Sequence, residues 1–351
     1  MNYTTELEEL IDILIKEGGS DLHLSVGHNP SARINTELIS FLKKPILKPQ
    51  DTAGFLQAMI SSSKFAQFLE SQECDFSFEV KKTRIRGNAF FQKGNISIAL
   101  RILPQIVDLK ELNLPQIVEN FARKEQGFFI VVGPVGQGKS TTLASLVNLI
   151  NQEQKKHIVT IEDPVEFVYP VGNSIIDQRE IGIDSSSFEN ALNGAFRQDI
   201  DVILIGEMRT HETIGTAITA AETGHLVFST LHTNSASQTI DRIVDSFPAQ
   251  GQAQIRIQLA NSLLGVFSQR LIPRISGGLI PACELLINNN AVSNLIRENR
   301  TNELDLLIET GSDLGMIDLN RSLVDLVRRG EITTENAFLH SNNPKALERM
   351  L

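Results

Sequence analysis

The chain has 351 residues, 41% of them hydrophobic, with 42 Asp and Glu against 32 Lys and Arg, for a formal charge of -10. That length suggests two domains or one large one with a sizeable core, and the acidic balance rules out a global positive field that would draw the chain onto nucleic acid or acidic lipid. Its two cysteines, Cys74 and Cys283, lie far apart and outside any CxxC pair, which argues against a disulfide framework or a structural zinc site.

The opening stretch MNYTTELEELIDILIKEGGSD repeats Leu7, Leu10, Ile11, Leu14 and Ile15 at helical spacing. It predicts an amphipathic helix ending near Gly18 and Gly19. Without a basic leader and a continuous apolar stretch it does not read as a signal peptide. No uncharged run approaches the ~18 residues that cross a bilayer, so work at a membrane would require a partner. DLHLSV and CDFSFEV then alternate as strands do, DTAGFLQAMISSSKFAQFLESQ reads as helical, and RIRGNAFFQKGNISIALRIL predicts two strands around the turn KGN. Residues 1–105 are thus expected to form a small α/β domain, and the two prolines of LPQIVDLKELNLPQ suit a linker over 106–118.

From Glu119 onward, short apolar strands alternate with helical stretches. GFFIVV, HIVTIE, DVILIGE and HLVFST are separated by segments long enough for crossovers, which predicts a mostly parallel sheet covered by helices over 119–351. AVSNLIRE and LNRSLVDLVRRG are amphipathic helices, the latter stopping at Gly330.

Between the first strand and its helix lies GPVGQGKSTT, in which Gly133, Gly138, Lys139 and Ser140 fit GxxxxGK[ST]. Glycines let backbone N–H groups approach phosphate oxygens, and the helix N-terminus adds positive potential. Lys139 is placed to neutralise the β- and γ-phosphates and Ser140 to offer its hydroxyl to magnesium. The whole loop, Gly133, Pro134, Val135, Gly136, Gln137, Gly138, Lys139, Ser140 and Thr141, is therefore the candidate ATP-binding segment. A glycine-rich turn without a ligand is the alternative.

Hydrolysis also needs an acid near the terminal phosphate. DVILIGE sets Glu207 past four aliphatics at a strand's carboxyl end, and HIVTIEDP does the same for Glu162 and Asp163. One acid can hold the magnesium shell while another orients water, and spacing alone does not assign the roles. AAETGHLVFSTLHTNSA adds His225 and His232 around another strand. A lone histidine at such a place is usually a structural residue; at a strand end in a P-loop sheet His232 is also a candidate to hydrogen-bond the γ-phosphate, and no neighbouring cysteine or third histidine suggests zinc.

GPVGQGKSTT, TIEDPVEFVY, IDVILIGEMRTHETI and AAETGHLVFSTLHTNSASQTIDRIVDSFP together resemble the secretion-superfamily ATPases, most of all the type IV pilus retraction ATPases of twitching motility. SDLHLSVG, AVSNLIRE and LGMIDLNRSLVDLVRRGEI extend the likeness over nearly the whole chain. The resemblance implies an N-terminal PAS-like α/β domain and a RecA-like P-loop ATPase domain. It also implies a cytoplasmic homohexamer at the inner-membrane face, docked on a pilus platform protein and working beside paralogous pilus ATPases. By the same resemblance Glu207 is the magnesium-associated acid, Glu162 activates water, and Arg86 and Arg101 of RIRGNAF and ALRIL reach nucleotide. A guanidinium suits developing transition-state charge.

The family usually reads GPTGSGKST and AIRNLIRE where this chain has Val135, Gln137 and Ser293. The loop's backbone donors survive the first two changes. The third removes a charge from the retraction signature, so a pilus-extension or type II secretion ATPase is a rival reading, although those proteins commonly carry a longer N-terminal region and a tetracysteine element. A RecA-like nucleic-acid motor and a nucleotide-gated scaffold that does not hydrolyse ATP are more distant alternatives.

Overall fold

The computed structural model describes residues 2–34, 37–81 and 83–351, which divide into two compact units, residues 1–105 and 106–351. The first unit runs α1 (Tyr3–Lys16), β1 (Gly19–Ser25), β2 (Ser31–Ile34), β3 (Glu37–Ser40), α2 (Pro49–Met59), α3 (Ser62–Ser71), β4 (Glu73–Val80), β5 (Thr83–Gln92) and β6 (Asn95–Ile102). Asn2 caps α1 by accepting from Thr5 N, and Leu7, Leu10, Ile11 and Leu14 are buried as their spacing requires. The stretch read as helical over 51–72 holds two helices, because Ile60 is extended and Ser61 opens α3 by accepting from Lys64 N.

The six strands pair in the order β3-β2-β1-β6-β5-β4, every pair antiparallel. Lys93 and Gly94 turn β5 into β6 with φ of +50° and +76°, the left-handed pair that matches strand twist in a two-residue hairpin.

The second unit contains α4 (Glu119–Ala122), β7 (Gly127–Val132), α5 (Lys139–Glu153), β8 (His157–Glu162), β9 (Ile175–Glu180), α6 (Phe188–Ala195), β10 (Val202–Ile205), α7 (His211–Glu222), β11 (Leu226–Leu231), α8 (Ala236–Asp245), α9 (Ala249–Ser262), β12 (Leu263–Pro273), β13 (Leu279–Ile287), α10 (Asn290–Arg297), α11 (Leu304–Thr310), α12 (Leu319–Arg328), α13 (Thr334–His340) and α14 (Pro344–Met350). Its seven strands are ordered β13-β12-β7-β11-β10-β8-β9, and all neighbours are parallel except β12 and β13.

Every residue of β7, β10 and β11 is buried, as expected of parallel strands covered on both faces. Alternation along β7 sends Phe128, Ile130 and Val132 into the core shared with α6 to α9, and Phe129 and Val131 into the core under α5. Residues 106–118 pack on that second face: Leu109 and Val118 are buried there, and Ser145 Oγ donates to Val107 O at 2.6 Å. The fold class expected from the sequence, a PAS-like α/β domain followed by a RecA-like P-loop domain, is the one observed. Strands β9, β12 and β13 were not read from the sequence. β9 mixes exposed and polar residues without clean alternation, and β12 follows a helix with no intervening turn residue.

Candidate functional site

Four parallel strands end on one edge of the sheet. Register pairs Val132 with Leu231 and Ile205 with Ile161, so the segments following β7, β8, β10 and β11 emerge side by side. This juxtaposition brings the GPVGQGKSTT loop, Glu162, Glu207 and His232 together, at the place where open α/β sheets bind ligands. A cavity of about 210 Å³ lies between them, lined by Lys139, Ser140, Asp163 and Glu166 as well as the two acids and the histidine.

The loop's glycines are dictated by space and dihedral. Gly133 has φ +146°, and a Cβ there would lie 2.4 Å from the carbonyl oxygen of Gln269, on backbone that cannot yield. Gly138 has φ +79° and opens α5 without a side-chain cap, leaving the first N–H groups of the helix for an anion. Two glutamine side chains tie the loop to β12. Gln137 Oε1 accepts from Leu271 N at 2.6 Å, and Gln269 Oε1 accepts from Thr142 Oγ1 at 2.7 Å. Val135 stands exposed at the loop's tip.

Lys139 is buried, and its Nζ donates to the carbonyls of Gly133 at 2.8 Å and Pro134 at 2.9 Å. Burial pulls its pKa below the usual lysine value, against the opposing pull of the Glu166 and Glu207 carboxylates. His232 bridges the lysine to the strand-end acid: Nδ1 is 3.3 Å from Lys139 Nζ and Nε2 is 3.6 Å from Glu207 Oε2. An ammonium can only donate, so beside charged Lys139 the Nδ1 accepts and Nε2 carries the hydrogen. Glu207 also bonds the Arg209 guanidinium.

Glu162 is 8% exposed, and burial pushes its carboxyl pKa up. Thr160 Oγ1 donates to Oε1 at 2.6 Å and Glu166 N to Oε2 at 3.3 Å. Thr160, Glu166, Gln178 and Gln269 were missed in the sequence. Glu166 carried a signal as the third acid within TIEDPVEFVY, and Thr160 stands two residues before Glu162 in the same motif; Gln178 and Gln269 act across neighbouring elements that spacing does not reveal.

His225 precedes β11, at the opposite strand end from His232 and about 20 Å away along an extended strand; it bonds Ala220 O at 3.0 Å and meets Phe196 edge-on. The two histidines thus stand on either side of the strand, as the sequence has them, and His232 is the one that lines the cavity. Arg86 and Arg101 sit in the first unit as cross-strand neighbours on β5 and β6. Both are exposed, and Arg101 Nε donates to Asp21 Oδ1 at 2.7 Å. Ser293 is buried in α10, its hydroxyl donating to Ala260 O at 2.9 Å, so at this position the chain presents no charge.

The fit to a nucleotide rests on collision as well as composition, since the loop can keep its shape only with glycine at 133. Ser140 and Glu207 face the same cavity and supply the hard oxygen donors that magnesium takes.

Comparison with known proteins agrees with this geometry. The pattern of the family described as type II/IV secretion system protein matches residues 4–312. The chain is 42% identical over 334 residues to the type IV pilus retraction ATPase PilT of Pseudomonas aeruginosa, covering 95% of this chain and 97% of that one. It is 43% identical over 306 residues to a twitching motility protein of Neisseria gonorrhoeae, covering 86% and 82%. The crystal structure of the pilus retraction motor PilT with bound ADP superposes with a TM-score of 0.92 at 45% identity, over 97% of this chain and 98% of that one.

Proposed function

This chain belongs to the type II/IV secretion system protein family, and from that premise we propose that it is a motor ATPase whose hydrolysis of ATP powers retraction of a type IV pilus. The observation that carries the reading is the convergence of Lys139, Glu162, Glu207 and His232 on one cavity beneath the glycine loop, in a chain alike over nearly its full length to a pilus retraction ATPase.

Phosphate oxygens are held by the loop's backbone N–H groups and by Lys139, which exchanges its present carbonyl partners for the β- and γ-phosphates. Glu162, buried and oriented by donors from Thr160 and Glu166, takes the proton of the attacking water; a raised carboxyl pKa makes it a better base than an exposed glutamate. His232 hydrogen-bonds the γ-phosphate and passes its presence to Glu207. Magnesium, held through Ser140 and Glu207, would supply charge neutralisation at the transferring phosphate. Arg86 and Arg101 are proposed to stabilise the remaining transition-state charge.

Mechanical work follows only if ATP prefers one conformation over another. A ring of six copies, gripping a platform protein beside related pilus ATPases, would add such changes of conformation into movement of the fibre. Among the described residues no helix is long and apolar enough to cross a membrane, which suits a motor working on the cytoplasmic face of the inner membrane through a partner.

The test is the surface pili of cells carrying Lys139→Ala. Excess pili with lost twitching are expected. Bald cells would mean that the chain extends pili, the reading to which Ser293 first pointed.

A further inference from the structure

We propose that Thr160 is a positioning residue for ATP hydrolysis, holding the Glu162 carboxylate in the orientation from which it takes the water's proton. This inference rests on the reading of Glu162 given above.

Residues two apart on a strand share a face, so Thr160 and Glu162 both stand on the same side of β8. Thr160 is wholly buried, and its Oγ1 donates to Glu162 Oε1 at 2.6 Å. A wholly buried hydroxyl is costly to leave without a partner, and this carboxylate is the partner.

The neighbouring strand repeats the device. Gln178 is the cross-strand partner of Thr160, and its Nε2 reaches the same Oε1 at 3.5 Å while donating to Phe167 O at 2.8 Å. Glu166 N holds the other oxygen at 3.3 Å. With both oxygens restrained, the carboxylate plane is fixed, and Thr160 supplies the shortest of the three bonds. Loss of a hydrogen bond to a charged group corresponds to roughly tenfold or more in rate when the geometry is needed in the transition state.

The experiment compares steady-state ATPase kinetics of Thr160→Val, Thr160→Ser, Glu162→Gln and the Thr160→Val, Glu162→Gln double variant. Valine keeps the shape and removes the hydroxyl. The expected result is that Thr160→Val lowers kcat about tenfold or more with KM changed less than about twofold, that Thr160→Ser restores kcat, and that the double variant is no slower than Glu162→Gln alone. If Glu162→Gln itself turns over normally, the assignment of Glu162 fails. If Glu162→Gln is inactive while Thr160→Val keeps wild-type kcat, or if serine fails to rescue, Thr160 has no positioning role. A rise in KM with unchanged kcat overturns the proposal in the same way, because it marks a change in binding alone.

Discussion

The Lys139 ammonium lies 3.3 Å from Nδ1 of His232, so the lysine of the glycine loop is joined to the segment that follows β11. Because the other ring nitrogen faces Glu207 Oε2 at 3.6 Å, one imidazole reads both the loop and the strand-end acid. Replacing His232 with alanine should lower kcat by roughly ten- to a hundredfold, the worth of a hydrogen bond to a charged group, while leaving ADP affinity within a few fold. An unchanged kcat in steady-state assay would show that the bridge is structural only.

Glu207→Gln preserves the shape at the end of β10 and removes the charge. Binding of ATP, followed with a fluorescent analogue, should persist while single-turnover hydrolysis falls by at least about a hundredfold, the scale of losing an electrostatic group from the transition state. Hydrolysis at the wild-type rate would mean that another cavity acid, Asp163 or Glu166, does this work.

Gln137 stands where relatives usually carry serine, and its side chain accepts a hydrogen bond from Leu271 N at 2.6 Å. Serine is too short to reach. Gln137→Ser should therefore cost about 1 kcal/mol of stability and weaken nucleotide binding severalfold, as the loop loses one of its two ties to β12. Thermal unfolding and nucleotide titration of the same variant check both; unchanged values in each would show that the bond constrains nothing.

Burial raises the carboxyl pKa of Glu284 to about 7, with the carboxylates of Asp305 and Asp318 adding to the shift and the bond from Ala236 N and the Arg270 charge opposing it. In the unfolded chain the group titrates near 4.5. The protonated form is thus favoured by folding: its stabilisation is fully present below pH 4.5 and declines as pH rises to about 7. Glu284→Gln can still accept from Ala236 N, and should stabilise the protein at pH 8 by up to about 3 kcal/mol while changing little at pH 4. Unfolding midpoints at the two pH values test this, and equal shifts at both would remove titration as the cause.

The sequence by itself determined the parts whose chemistry is local. GPVGQGKSTT announces a phosphate loop because backbone approach demands glycine at fixed spacing, while the reason Gly133 tolerates no Cβ, the nearby Gln269 O, shows only in the fold. Short apolar-rich runs such as VILI and HLVFST announce buried parallel strands because both their faces are covered. Glu162, Glu207 and His232 were legible as strand-end residues for the same reason. The tertiary structure alone decided which of these side chains meet. Strand order and parallel register put His232 in the cavity with Lys139 and Glu207, whereas His225, before the strand as the sequence has it, does not line it. Gln269 lies 127 positions from Thr142 and still bonds it, and Gln178 reaches Glu162 from the neighbouring strand. Such contacts depend on which strands lie side by side, and a one-dimensional pattern carries no term for that adjacency.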